Sequence, residues 1–365
     1  MYRRSVVIAL VFMMCIMTAL FCVESDVSNT TIRDINYPAK SLIAGVFLNP
    51  DSSMTAIVVS TQIGEQESTK ELYRFDQQMK HLESTPLPLN PKAIPKGATA
   101  LLSTFWFVTQ IYTEDKTYLY SLVAFDSDGR EIHRHALPTT DEIIGTRLRT
   151  SGDSGIAILN MADQTAIYTF TTDSIDPEPW IIDQSLDQFI PNTEAPGSYY
   201  AGRTTEESAD ILLLDVGNRE IRLIKSIPIT NPEYVGEILQ HNDAFFLSID
   251  TMVSKFITES QLYCLQADNP PVEIPIDGCV TEMFIYRDKP MIEALSNTQV
   301  GPRVYSISYF HEITESNELN LVRTLEAGGY MIPTGALLND TIYIYGMWGH
   351  RRIGLSGFIQ KIPIP

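Results

Sequence analysis

A four-residue pattern, aliphatic, Tyr, any residue, apolar, returns along this chain at nearly constant spacing. A fixed period of this kind restricts the fold more than any other feature of the sequence. The pattern occurs as Leu72-Tyr73-Arg74-Phe75, Leu119-Tyr120-Ser121-Leu122, Ile167-Tyr168-Thr169-Phe170, Leu262-Tyr263-Cys264-Leu265 and Val304-Tyr305-Ser306-Ile307. The tyrosines are separated by 47, 48, 95 and 42 residues. The step of 95 is two periods, so a unit without the tyrosine belongs near position 215. A strand is available there in Ile211-Leu212-Leu213-Leu214-Asp215. One period beyond Tyr305 lies the apolar stretch Ile353-Gly354-Leu355. The period predicts seven units.

Each unit carries more than the marked strand. A turn and a further strand follow it, ending at Leu87-Pro88, Leu137-Pro138, Ile182-Asp183, Ile227-Pro228, Ile276-Asp277, Leu325-Glu326 and Ile364-Pro365. The hairpins Phe125 to Ile132 and Leu214 to Ile221 place Asp, Gly and Asn where a tight turn needs positive φ. Two earlier apolar runs precede the marked strand, such as Ala98 to Leu102 with Phe105 to Ile111, and Tyr234 to Leu239 with Ala244 to Ile249. They are short and rich in β-branched and aromatic residues, as strands are. No long stretch keeps a 3.6-residue period, so helix content is expected to be minor.

Four strands in 40–50 residues make a propeller blade, and the chain resembles the β-propeller superfamily over about Thr30 to Pro365. The resemblance implies an all-β fold of four-stranded blades, seven in number, with a six-bladed ring as the alternative. The doubt falls on the fourth unit, whose first strand has little pattern within Asp183 to Asn192. No Trp-Asp dipeptide ends a blade, unlike the WD-repeat class. Trp106, Trp180 and Trp348 do not share one blade position, unlike the blades of quinoprotein dehydrogenases. The repeating tyrosines are expected to pack between blades. Residues 41–365 form one domain in this reading. Residues 26–40 are left as a segment that closes the ring, with Thr31 to Ile35 expected beside Leu355 to Ile362.

Residues 1–25 read as an export signal. Arg3 and Arg4 precede the apolar run Val6 to Cys22, and Val23-Glu24-Ser25 offers a cleavage site. An uncleaved anchor and a lipid-anchored Cys22 are the alternatives. All three place the body outside the cytoplasm, and no second apolar stretch is long enough to span a membrane. The formal charge is −19, from 45 acidic and 26 basic residues. This balance disfavours a nucleic-acid partner, which needs Lys and Arg to displace counterions, and disfavours anionic lipid. Beyond the signal, Cys264 and Cys279 remain. A bridge between them would close a loop of about 15 residues, and two free thiols are the alternative.

Candidate chemistry lies on the strands read as innermost, which in a propeller converge on a channel. They carry Arg147, Arg149, Tyr199, Tyr200, Glu237, Glu282 and Tyr330. Buried charge is costly, so paired arginines and separate glutamates predict a polar funnel at one channel mouth that binds a ligand or a partner loop, with Arg147 and Glu282 as its leading residues; the alternative is that these charges pair across a water-filled pore and do nothing else. Tyr199 is placed in the same binding group. No Gly-x-Ser-x-Gly nucleophile elbow is present. His133 and His135 alternate on one strand and are expected to be solvated, as is the basic turn His350-Arg351-Arg352. Asn29 and Asn339 head glycosylation acceptors if the source is eukaryotic. Ser151-Gly152-Asp153-Ser154-Gly155-Ile156-Ala157-Ile158 resembles the Asp-box of sialidase-like propellers, in degenerate form. The chain also resembles calcium-dependent lactonase-like propellers in size, which implies carboxylates around a Ca2+ at the channel mouth.

Two functions follow. One is a non-catalytic binding or scaffold protein of the cell envelope or exterior, whose partner is a protein, a small molecule or a saccharide. It needs no cofactor. The other is a propeller hydrolase of lactonase or glycosidase type, with channel carboxylates and, in the lactonase form, calcium.

Overall fold

The computed structural model describes residues 29–31, 39–49, 51–62, 67–139, 142–230, 233–254, 257–266, 269–300, 303–326, 330–338, 341–350 and 354–362. Among them are seven four-stranded antiparallel sheets and no helix. These are the seven blades of a β-propeller, and the six-bladed alternative falls away. From the inside outwards, blade one is Ala39–Leu48, Met54–Gln62, Ser68–Phe75 and His81–Pro86. Blade two is Ile94–Leu101, Thr104–Tyr112, Tyr118–Phe125 and Glu131–Leu137. Blade three is Gly145–Ser151, Ser154–Asn160, Thr165–Thr171 and Trp180–Ile182. Blade four is Phe189–Pro191, Ser198–Thr204, Ser208–Asp215 and Glu220–Pro228. Blade five is Glu233–His241, Ala244–Ser254, Ile257–Gln266 and Val272–Ile274. Blade six is Cys279–Tyr286, Lys289–Val300, Arg303–Ile313 and Leu319–Glu326. Blade seven is Tyr330–Leu338, Ile342–His350 and Gly354–Ile362, with Asn29–Thr31 antiparallel to the last at Phe358–Gln360. The remainder of the expected closing segment, 32–35, lies outside the described residues, as does the signal at 1–25.

The apolar core is divided rather than central. Seven buried clusters each lie at one junction between neighbouring blades, including the junction of blade seven with blade one. Both faces of a blade are therefore covered, and the ring axis is left to polar side chains. Tyr73, Tyr120 and Tyr168 are buried in these junctions, as expected of packing residues. All the marked tyrosines fall on the third strand of a blade but not at one level. Tyr120 is the third residue of its strand and Tyr73 the sixth. His133 and His135 depart from the solvated expectation. His133 stacks on Trp106 at 5.8 Å and His135 meets the Tyr168 ring at 6.0 Å, because the outer strand of blade two turns this face towards blade three.

A polar clasp recurs where the chain passes from one blade to the next. Tyr120 Oη in blade two accepts the Ile143 N–H at 3.0 Å, steadied by Gln110 Nε2 at 3.0 Å. Thr165 Oγ1 in blade three accepts the Leu186 N–H at 3.0 Å and donates to Asn160 Oδ1 at 3.1 Å. Thr204 Oγ1 in blade four accepts the Val235 N–H at 2.9 Å and donates to Asp187 Oδ2 at 2.6 Å. Ser260 Oγ in blade five accepts the Val280 N–H at 2.8 Å and donates to Asp250 Oδ1 at 2.6 Å. Blade one uses a buried lysine instead: Lys70 Nζ donates to the carbonyls of Ser68, Asn90 and Pro91 at 2.9, 3.0 and 2.7 Å. Between blades seven and one, the Gly357 N–H donates to Ser41 Oγ at 2.9 Å. Each clasp satisfies backbone groups that lie beyond the reach of a sheet ladder.

Candidate channel site

The inner strands are bulged in five blades, between Ile43 and Gly45, Pro95 and Gly97, Val235 and Ile238, Val280 and Glu282, and Pro333 and Gly335. A bulge bends its strand and re-aims side chains. In blade five, Gly236 and Glu237 together stand opposite Ser248. A Cβ at position 236 would lie 2.2 Å from Ser248 Oγ and 2.4 Å from Asp250 Oδ2, so glycine is required for the carboxylate to sit there.

Arg147 and Arg149 lie on the inner strand of blade three and alternate with Thr146 and Leu148. The latter pair face Gly97 of blade two, where a Cβ would meet Leu148 at 2.9 Å. The arginines therefore project towards blade four, whose inner strand is only three residues long. Arg149 Nε donates to the Phe189 carbonyl at 2.8 Å, and Arg149 also donates to the Leu148 carbonyl at 3.1 Å. Arg147 donates to the Thr146 carbonyl at 3.2 Å. The same short strand brings Ser198–Thr204 into contact with the inner strand of blade five.

Glu237 comes from blade five. Its backbone N–H donates to Ser248 Oγ at 2.7 Å, and its carboxylate accepts from Gln188 Nε2 at 2.9 Å. Glu282 comes from blade six, directly opposite Glu293 in the ladder, and accepts from the Ala336 N–H of blade seven. Burial raises the Glu237 carboxyl well above its ordinary value, with Glu282 adding to the rise and both arginines opposing it. Burial also raises Glu282, to about 7, against the pull of Arg149 and Arg147. Arg149 itself is pushed down by burial and by Arg147. Yet among the described residues neither arginine stands within 4.0 Å of a carboxylate oxygen. The four charges share one field without closing into ion pairs.

Four groups at this site escape a reading of the sequence alone. Glu293, on the second strand of blade six, is 1% exposed, accepts from Ser308 Oγ, and is raised by burial to about 7. Asp250 is raised by burial to about 6 despite its donors Ser260 and Ser248. Asp187 precedes the short strand of blade four and is also raised by burial. The Tyr345 phenol of blade seven is pushed by burial up to about 12. Asp250 and Glu293 carried the signal that marked Glu237, a lone carboxylate in an apolar strand. They lie on second rather than innermost strands.

Tyr199 is placed elsewhere. It lies on the second strand of blade four, and its ring is buried between blades three and four beside Ile158 and Leu214. The innermost strand is Phe189–Pro191, so Tyr199 faces a junction, not the channel mouth. Tyr200 packs likewise against blade five. Tyr330 does begin the inner strand of blade seven. Cys264 and Cys279 are separate thiols, since Cys264 is buried in the junction core while Cys279 starts the next inner strand. The Asp-box-like stretch forms the turn between the first and second strands of blade three. Arg351 and Arg352 lie outside the described residues. Among the described residues no three His, Cys, Asp or Glu side chains converge as a metal site.

No family model matches the chain, and no curated protein matches it in sequence. Solved structures match it in fold. The polysaccharide lyase Uly1 superposes with a TM-score of 0.58 at 7% identity, over 88% of this chain and 90% of that one. Hydrazine synthase of Kuenenia stuttgartiensis gives 0.55 at 10% identity, over 88% and 96%. The AfRom2 CNH domain gives 0.55 at 7% identity, over 93% and 100%. At these identities the likeness is of architecture alone.

Proposed function

We propose that the protein is an exported binding or scaffold module of the cell envelope or exterior, and that its channel takes a polar ligand or a partner's loop. The observation that carries this reading is the gathering of Arg147, Arg149, Glu237 and Glu282 from three blades without mutual ion pairs. Charges kept desolvated and unpaired cost stability, and a bound partner that satisfies them recovers that cost. The export signal read at residues 1–25 supports the location. The test is a double substitution, Arg147→Ala with Glu282→Ala, in full-length protein purified from its native source. Native mass spectrometry should show a bound ligand or partner on the wild type that the double variant loses. Retention at unchanged melting temperature would move the site to the outer faces of the blades.

One observation favours a second reading as a hydrolase. Glu282 and Glu293 face each other across two strands, both held near neutrality, as a general acid and base would be. Under that reading Glu282→Gln abolishes turnover of a lactone or glycoside. Stoichiometric calcium, lost with activity on chelation, would mark the lactonase form.

A further inference from the structure

Beside the channel, a cavity of about 260 Å³ opens between the inner strands of blades three and five at the short strand of blade four. Its wall includes Arg147, Asp187, Gln188, Tyr234, Glu237 and Asp250. Three carboxyl groups and one guanidinium thus belong to one cavity wall, and Arg147 acts electrostatically on Asp187 and Glu237. Each carboxyl is aimed by a neutral donor: Asp187 by Thr204 Oγ1 at 2.6 Å, Glu237 by Gln188 Nε2 at 2.9 Å and Asp250 by Ser260 Oγ at 2.6 Å. Arg147 donates to its neighbour's carbonyl and closes no ion pair with them among the described residues. The space far exceeds the roughly 10–15 Å³ that one water needs, and no three acidic groups converge as a metal site among the described residues.

We propose that this cavity binds an organic cation, a primary ammonium or guanidinium group, carried either by a free amine or by a basic side chain of a partner. The proposal rests on the binding reading above and names the chemistry of its ligand. An anion approaching Arg147 would meet a wall that also carries three carboxyl groups, whereas a cation would find those carboxyl groups and the ring of Tyr234 on the same wall. The ligand-free site lacks that positive charge. Burial raises Asp187 against its Thr204 donors and Arg147, and raises Asp250 to about 6 against Ser260 and Ser248, with Tyr234 and Cys279 as neighbours. Glu237 is raised by burial, Glu282 and Asp250 against the two arginines. A bound cation favours the ionised carboxylates, so binding releases protons and strengthens as pH rises from 5.5 to 8.

The experiment is calorimetric titration of the full chain with agmatine, putrescine and Nα-acetyl-lysine methylamide, and with inorganic phosphate as the opposite probe. One cation per chain should bind, with proton release measured by repeating the titration in buffers of different ionisation enthalpy. Glu237→Gln and Asp187→Asn should each weaken binding by about tenfold or more, while melting curves show both variants folded. Tighter binding of the free amines identifies a metabolite, and tighter binding of the lysine probe identifies a partner's side chain. The proposal is overturned if no cation binds at millimolar concentration, if phosphate binds instead, or if wild-type binding proceeds without proton release. Loss of a partner in the Arg147/Glu282 double variant, with no cation binding, would sink this inference and leave the binding reading intact. Cation binding with partner capture unaffected by that double variant would do the reverse.

Discussion

Replacing Glu293 by glutamine should stabilise the protein, and only above a particular pH. Glu293 is 1% exposed, and burial raises its carboxyl from 4.5 to about 7. The folded chain therefore holds this proton more tightly than the unfolded chain. Below about pH 4.5 both states are protonated and the residue costs nothing. Between 4.5 and 7 the penalty grows, and above 7 it is complete. Each unit of pKa is worth about 1.4 kcal/mol, so the full penalty is about 3 kcal/mol. Glutamine keeps an oxygen to accept from Ser308 Oγ and removes the charge. Guanidinium denaturation followed by tryptophan fluorescence, from pH 4.5 to pH 8, gives the comparison. The variant and wild type should coincide at pH 4.5, and the variant should lead by about 2–3 kcal/mol at pH 8. Taking the difference cancels the shared slope from Glu237 and Asp250, while Glu282, which helps to raise Glu293, is relieved of a like charge and moves the difference in the same direction. A variant less stable than wild type at pH 8 would refute the reasoning, because the ionised carboxylate would then be held by a cation that the geometry does not show.

Three further outcomes are expected. Lys70→Met should cost about 2–3 kcal/mol in thermal or chemical denaturation. It loses three charge-assisted bonds, but the Pro91 and Asn90 carbonyls keep their Ser68 and Ala93 N–H donors. Cys279, whose thiol is pushed by burial up to about 12, should resist alkylation at pH 7 in the native protein. Unreduced, denatured protein should then label at both Cys264 and Cys279, and a missing label would mean a bridge. Deleting residues 26–38 should lower the melting temperature sharply, because blade seven would lose its outer strand. An unchanged curve would show that closure does not depend on that segment.

The sequence by itself determined the repeat, the blade count and the identity of the marked strands. These are properties of chain within one blade, where alternation along a strand and the residues of a turn act over a few positions. The same local logic singles out Arg147, Arg149, Glu237 and Glu282 as charges on inner strands, since a charge in an otherwise apolar strand stands out, and the structure places all four on inner strands. It failed at blade four, where the inner strand is three residues with no alternation to detect, and Tyr199 was assigned to the wrong strand. It also missed the bulges, because an extra residue in one strand shows only against its partner. The tertiary structure alone decided what meets what between blades. Arg149 reaches a carbonyl 40 residues away, Gln188 a carboxylate 49 away, and Ser41 an amide 316 away. Such contacts depend on where seven sheets settle against each other. That placement is set by seven separate apolar junctions, so no short stretch of sequence encodes it.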